Sequence, residues 1–191
     1  MFQPRVKLEF VRRYCSPGDG WTVFVDIDAS EEGRTGGDRT NLQAQERQRA
    51  MQQDAAEVRE AFANLGVTVG GNRAAWFNAN ALPYIDGDRD IVAFHRQNKL
   101  CLIAEVEGIS SGQPEQKLYK AIGQIVMAAS MPPLNGWQIA LVLAVHGEQI
   151  ADHLVRATAL KGLGISAISI VEKKEKEKWL FDGAGIWLEK G

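Results

Sequence analysis

Cysteine is scarce in this chain. Only Cys15 and Cys101 occur, without a pairing pattern, which excludes a disulfide framework and predicts two free, non-catalytic thiols in a reducing compartment. Histidine is as thin: His95, His146 and His153 are scattered, which argues against a zinc site or a serine–histidine triad. The longest apolar run, Ile139 to Val145, is far too short to cross a bilayer, and the opening Met1-Phe2-Gln3-Pro4-Arg5 lacks a signal peptide's apolar segment. The expectation is a cytoplasmic protein with no membrane contact. Positive charge is not in excess either: 22 Lys and Arg stand against 24 Asp and Glu, a net charge of -2. That counts against nucleic-acid binding by charge alone without excluding it, since a carboxylate-rich site needs basic residues only along its flanks. Internal repeats are absent. Gly70-Gly71 lacks the lysine and spacing of a phosphate loop and no dinucleotide fingerprint occurs, so no small-molecule organic cofactor is expected.

What is present fits one compact α/β domain. The chain has 191 residues, 45% of them apolar and 24% charged, enough for a sizeable core but a tight fit for two full domains. Residues 1–39 read as an N-terminal accessory segment packed on the core. They contain the strand-like run Trp21 to Asp28, expected in a hairpin over Val6 to Asp28, and end in a Gly-rich charged loop, Glu31 to Thr40. Residues 40–191 read as the core with a C-terminal extension. A long helix is predicted from Thr40-Asn-Leu-Gln43, which resembles a capping box, through Met51, Ala55, Val58, Phe62 and Leu65 to a stop at Gly66.

Three strand candidates follow: a loose one near Ala74 to Asn78, then Asp90 to Phe94, then Leu100 to Glu107, the last two joined by the polar turn Gln97-Asn98-Lys99. A helix over Glu115 to about Ser130 sets Leu118, Ile122, Ile125 and Ala129 on one side, and Gln116, Lys117, Lys120 and Gln124 on another. Trp137 to Val145 reads as a strand buried on both faces, Glu148 to Leu163 as a helix and Ile165 to Val171 as a further buried strand. Trp179 to Phe181 and Ile186 to Leu188 are expected in a closing hairpin. This order of a meander followed by βαβ crossovers predicts an α/β fold, a mixed sheet between helices.

Chemistry concentrates at the end of the predicted 90–107 hairpin. Asp90 opens one strand and Glu105 and Glu107 close the next, so pairing brings three carboxylates to one end of the sheet. Residues 105 and 107 share a face because strand side chains alternate, while Val106 points into the opposite layer. Clustered carboxylates repel one another, and a hard divalent cation such as Mg²⁺, with Mn²⁺ as substitute, is the usual reason to keep them together. Asp86-x-Asp88-x-Asp90 is no calcium loop, since Ile91 stands where the turn glycine belongs and Gln97 where the bidentate glutamate belongs. Asp88 remains an alternative to Asp90 as ligand.

The succession helix, three strands, helix, strand, with Gly87-Asp-Arg-Asp90-Ile-Val-Ala-Phe, Ala104-Glu-Val-Glu-Gly108 and Gln116 to Gln124, resembles the PD-(D/E)XK, or restriction-endonuclease-like, nuclease superfamily over roughly Thr40 to Val145. The resemblance implies an αβββαβ core, here with an αβ extension. It implies Asp90 and Glu105 as metal ligands, Gln124 beside the site, and Glu57 or Glu60 of the first helix as an outer ligand. Glu107 departs from the pattern, since most members carry lysine there, although some restriction enzymes of the family carry glutamate. A third carboxylate can hold metal or take a proton from water, and Lys117 or Lys120 would restore the missing cation. The activity implied is Mg²⁺-dependent hydrolysis of DNA phosphodiesters, as in a homodimeric type II restriction endonuclease. The alternatives are a catalytically silent nuclease-fold binding or scaffolding subunit, and a repair or recombination nuclease. DNA contacts are expected from the N-terminal segment, the 31–40 loop and Arg34, Arg39, Arg47 and Arg49.

Overall fold

The computed structural model describes residues 1–33, 41–109 and 114–186. The chain opens with helix α1 (Gln3–Tyr14), where Pro4 presets the first turn and Arg12 and Arg13 sit favourably at the negative end of the helix dipole. Strand β1 (Trp21–Val25) follows, and then the long helix α2 (Leu42–Leu65). Asn41 caps α2 by accepting from the Gln43 and Ala44 amides, and Gly66 ends it in the left-handed region at φ 75°. A two-residue strand β2 (Thr68–Val69) leads to helix α3 (Arg73–Ala79). Strands β3 (Ile91–His95) and β4 (Leu100–Glu107), helix α4 (Pro114–Ala129) and strand β5 (Gln138–Val145) complete the central part. Helices α5 (Glu148–Val155) and α6 (Ala159–Gly162), then strands β6 (Ile165–Ser169) and β7 (Lys178–Phe181), finish it.

The seven strands form one mixed sheet in the order β2-β1-β3-β4-β5-β6-β7. β1, β3 and β4 pair antiparallel, β4, β5 and β6 run parallel, and β7 returns antiparallel. Alternation along each strand feeds two cores. On one face Val6, Phe10, Val58 and Phe62 of α1 and α2 meet Val23, Ala93, Leu102, Val106 and Ala144. On the other, Leu118, Ile125 and Leu154 of α4 and α5, with Trp76 and Phe77 of α3, meet Phe24, Val92, Phe94, Ile103 and Leu143. This is a three-layer α/β arrangement. No helix among the described residues is long and apolar enough to cross a membrane.

Several expectations are corrected. The accessory hairpin over Val6 to Asp28 is instead α1 followed by β1. β1 lies inside the sheet between β2 and β3, so the segment before residue 33 belongs to the core rather than lying on it. The strand expected near Ala74 to Asn78 is helix α3, nucleated by Asn72, whose side chain accepts from the Ala75 amide. β1 takes its place as the third member of the antiparallel trio. The helix expected over Glu148 to Leu163 is divided between α5 and α6, where Arg156 and Ala157 bond three residues back instead of four. Of the expected closing hairpin, Trp179 to Phe181 lie in β7, which pairs with β6; residues 187–191, and residues 34–40 of the expected loop with Arg34 and Arg39, lie outside the described residues.

Candidate active site

Pairing brings one edge of the sheet together at the ends of four strands. Val25 pairs with Ile91, Ile91 with Ala104, and Glu107 with Val145. Asp90, one residue before β3, therefore comes alongside Glu105. Glu105 and Glu107 share the face of Cys101 and Ile103, toward α4, as alternation predicts. A polar cleft of about 270 Å³ opens here, lined by Asp90 and Glu107 at the strand ends, by Asp26, Glu31 and Asp88 from neighbouring loops, and by Lys117, Lys120 and Gln124 across it on α4.

Asp90 is held from two sides. Its Oδ2 accepts from the Val106 amide at 2.7 Å, and its Oδ1 stands 2.8 Å from the ammonium of Lys7. Lys7, on α1, is fully buried; its Nζ also donates to the Asp26 carbonyl at 2.6 Å and to Glu31 Oε1 at 2.7 Å. Burial works against this ammonium, but the Asp90 and Glu31 carboxylates outweigh it and raise its pKa, so it stays protonated. Glu31 is raised in turn, by burial first, with Lys7 opposing and Asp90 adding to it.

Glu105 is almost wholly buried, and Arg89 Nη1 stands 3.5 Å from its Oε1, near enough for charge attraction but without a hydrogen bond. Burial, and then repulsion by Asp90, push the Glu105 carboxyl up to about 8, with Arg89 the leading opposing charge. Glu107 is pushed up to about 7 by burial and by Asp90, against Lys117, Lys7 and Lys120. One oxygen each of Glu31, Glu105 and Glu107 is buried without a hydrogen-bond partner. Such oxygens cost free energy unless a proton or a cation meets them.

Whether these residues fit a divalent ion follows from the same atoms. Among the described residues no three Asp, Glu, His or Cys side chains already converge as a ligand nest. Mg²⁺, however, typically takes one or two protein carboxylates and completes its shell with water and substrate phosphate. Glu107, with a buried oxygen that no hydrogen bond meets, shares one polar cleft with Asp90, whose carboxylate is also held by Lys7 and the Val106 amide, and these two carboxylates meet that requirement. The donor set fits.

Of the residues singled out from sequence, Asp90, Glu107, Lys117, Lys120, Gln124 and Asp88 line the cleft and Glu105 lies behind it. Glu57 does not line it. It is exposed on α2 and bonded to Arg5, which also binds Asp54, while Glu60 is exposed on the same helix. The cleft has instead Glu31, from the loop after β1, among its lining acids. Lys7, Glu31 and Arg89 were not anticipated. Neither Lys7 nor Glu31 carried a distinguishing signal, since Lys7 shares the run Val6 to Val11 with a second charge, Glu9. Gln3 also contributes, donating to the Val106 carbonyl at 2.7 Å and fixing α1 on the end of β4.

No family model matches the chain. No curated protein and no solved structure matches it either.

Proposed function

We propose that this chain is a metal-dependent DNA endonuclease of the PD-(D/E)XK type, working as a homodimeric type II restriction enzyme, with Asp90, Glu105 and Glu107 as its acidic centre. The observation that carries the reading is the cleft in which Asp90 and Glu107 meet opposite Lys117, Lys120 and Gln124, with buried carboxylate oxygens that lack partners. Topology supports it. α1, β1, β3, β4, α4 and β5 follow one another as helix, three antiparallel strands, helix and parallel strand, with α2, β2 and α3 inserted after the first strand. In this reading α1, rather than the helix after Thr40, is the first core helix.

Asp90 and Glu107, backed by Glu105, would hold Mg²⁺ or Mn²⁺, which when bound activates water and neutralises charge on the phosphorus oxygens. The chain's own residues supply the rest. Lys117 and Lys120 attract and orient the phosphate from the α4 side, and Gln124 offers a neutral hydrogen-bonding group beside it. The Glu107 oxygen that the ion leaves free would accept the proton of the attacking water. Arg89 donates from Nη1 to the Gln124 carbonyl at 2.8 Å, keeping α4 in register with the start of β3.

A second reading has its own observation. Asp90 is already bonded to Lys7 and the Val106 amide, and Glu107 stands where the family places lysine, which favours a catalytically silent nuclease fold that binds or scaffolds. Purified protein incubated with mixed plasmid and phage DNA in Mg²⁺ separates the two. Cleavage that EDTA, Asp90→Ala or Glu107→Ala abolishes is the expected result. Discrete fragments assign restriction and a smear a repair or recombination role, while DNA left intact in Mg²⁺ and in Mn²⁺ overturns the nuclease reading in favour of the silent subunit.

A further inference from the structure

The buried end of the cleft carries an unusual balance of charge. Four carboxylates, those of Glu31, Asp90, Glu105 and Glu107, face two cations, Lys7 and Arg89. The remaining acids, Asp26, Asp28 and Asp88, are partly or fully solvent-exposed at the mouth, where Lys117 and Lys120 face them. Asp28 is further occupied in accepting from the Ser30 and Glu31 amides. The two carboxylates in excess of the cations have buried oxygens without hydrogen bonds, which protons meet while no ion is bound and which one divalent ion would meet in their place.

Lys7 Nζ itself has the surroundings of a bound cation. Three oxygens from two chain segments lie around it, the Asp26 carbonyl at 2.6 Å and Glu31 Oε1 at 2.7 Å from the loop after β1 and Asp90 Oδ1 at 2.8 Å from before β3. A fourth, Glu31 Oε2, is buried without a partner on the same carboxylate. A carbonyl and carboxylates are also the oxygen donors that hard divalent ions take. Lys7 is not among the residues that line the open cleft, so it positions other groups and does not touch substrate.

We propose that the Lys7 ammonium is the resident second cation of this site, so that the chain takes one divalent ion and would take two if Lys7 were removed. This rests on the metal-binding part of the nuclease reading, and goes beyond it in fixing the number of ions and the place of the second. Lys7 holds Asp90 and Glu31 together as a positioning residue. Without it, those oxygens form a vacant oxygen-lined position for a second ion beside the first.

Mn²⁺ binding to the full chain, counted by calorimetry and by the loss of the free-ion paramagnetic signal, tests this. Wild type is expected to bind one Mn²⁺, Lys7→Ala two, and the double variant Lys7→Ala/Glu31→Gln, in which the lost cation and a lost carboxylate cancel, one again. Should Lys7→Ala unfold in EDTA, Mn²⁺ is expected to restore its circular dichroism. Two ions on wild type, an unchanged count in Lys7→Ala, or a variant that stays unfolded in saturating Mn²⁺ each overturns the proposal. If wild type binds no Mn²⁺ and Lys7→Ala binds one, Lys7 does hold a cation position while the nuclease reading fails.

Discussion

Three glutamates keep buried oxygens without hydrogen bonds in this fold, and their titration reports on them directly. Burial and Asp90 raise Glu107 to about 7 and Glu105 to about 8, above the ordinary glutamate value that applies once the chain unfolds. A carboxyl raised in the folded state favours folding fully below its unfolded pKa, and that contribution is lost as pH rises through the folded one. In EDTA the melting temperature is therefore expected to fall by several degrees between about pH 4.5 and pH 8. Glu107→Gln should remove part of the fall, and Mn²⁺ should oppose it by favouring the ionised form; a profile as steep in the variant as in wild type contradicts the assignment. Gly108 offers a second check. A Cβ there would lie 2.7 Å from the Gln3 backbone nitrogen and Cα and 2.9 Å from the Phe2 carbonyl carbon, because the start of α1 crosses it. Gly108→Ala should cost about 2 kcal/mol in denaturant unfolding, as overpacked sites do. The acidic pair Glu105 and Glu107 was legible from strand alternation alone. Lys7 and Glu31 were not, because they reach the site through α1 and a loop whose positions depend on contacts distant in sequence.

Among the elements, β4 was read with the bounds it has, and α2, β3, α4 and β5 to within a few residues. Each carries a local period and a local stop, such as Gly66 after α2 or the 97–99 turn before β4. α1 escaped because Val6, Leu8 and Phe10 alternate with Lys7 and Glu9, the period of a strand. The helix nevertheless buries Val6, Lys7, Leu8, Phe10 and Val11, so its sequence lacks the usual polar face over that stretch. α3 escaped because the aromatic residues Trp76 and Phe77 favour strands, while the decisive Asn72 cap is a single residue. A core role for α1 predicts a large penalty for opening its packing. Phe10, fully buried, stacks at 5.3 Å on Tyr14, which meets Trp179 of β7 at 5.4 Å. Phe10→Ala is expected to destabilise the whole chain by about 3–5 kcal/mol in a single cooperative transition. Loss of α1 alone, with the sheet left intact by hydrogen exchange, would return the segment to accessory status.

For the whole molecule, a net charge of -2 means that any attraction for DNA must come from local basic groups, and α4 carries them beside the cleft as Lys117 and Lys120. Lys117→Ala with Lys120→Ala is expected to weaken DNA binding uniformly across sequences. It should also shallow the dependence of log affinity on log salt by about 1 per lysine. An unchanged salt slope would move the DNA path elsewhere. The sheet also limits how two copies can meet. Its outer strand at the β2 end has only Thr68 and Val69, about 7 Å of backbone by ordinary strand rise. So short a margin leaves almost no ladder for a second chain to extend, which guards this end against runaway stacking into fibres. A symmetric pair of these proteins meeting at this end would consequently be joined through side chains on helices or loops, and its stability would respond to surface substitutions rather than to changes in strand-forming tendency.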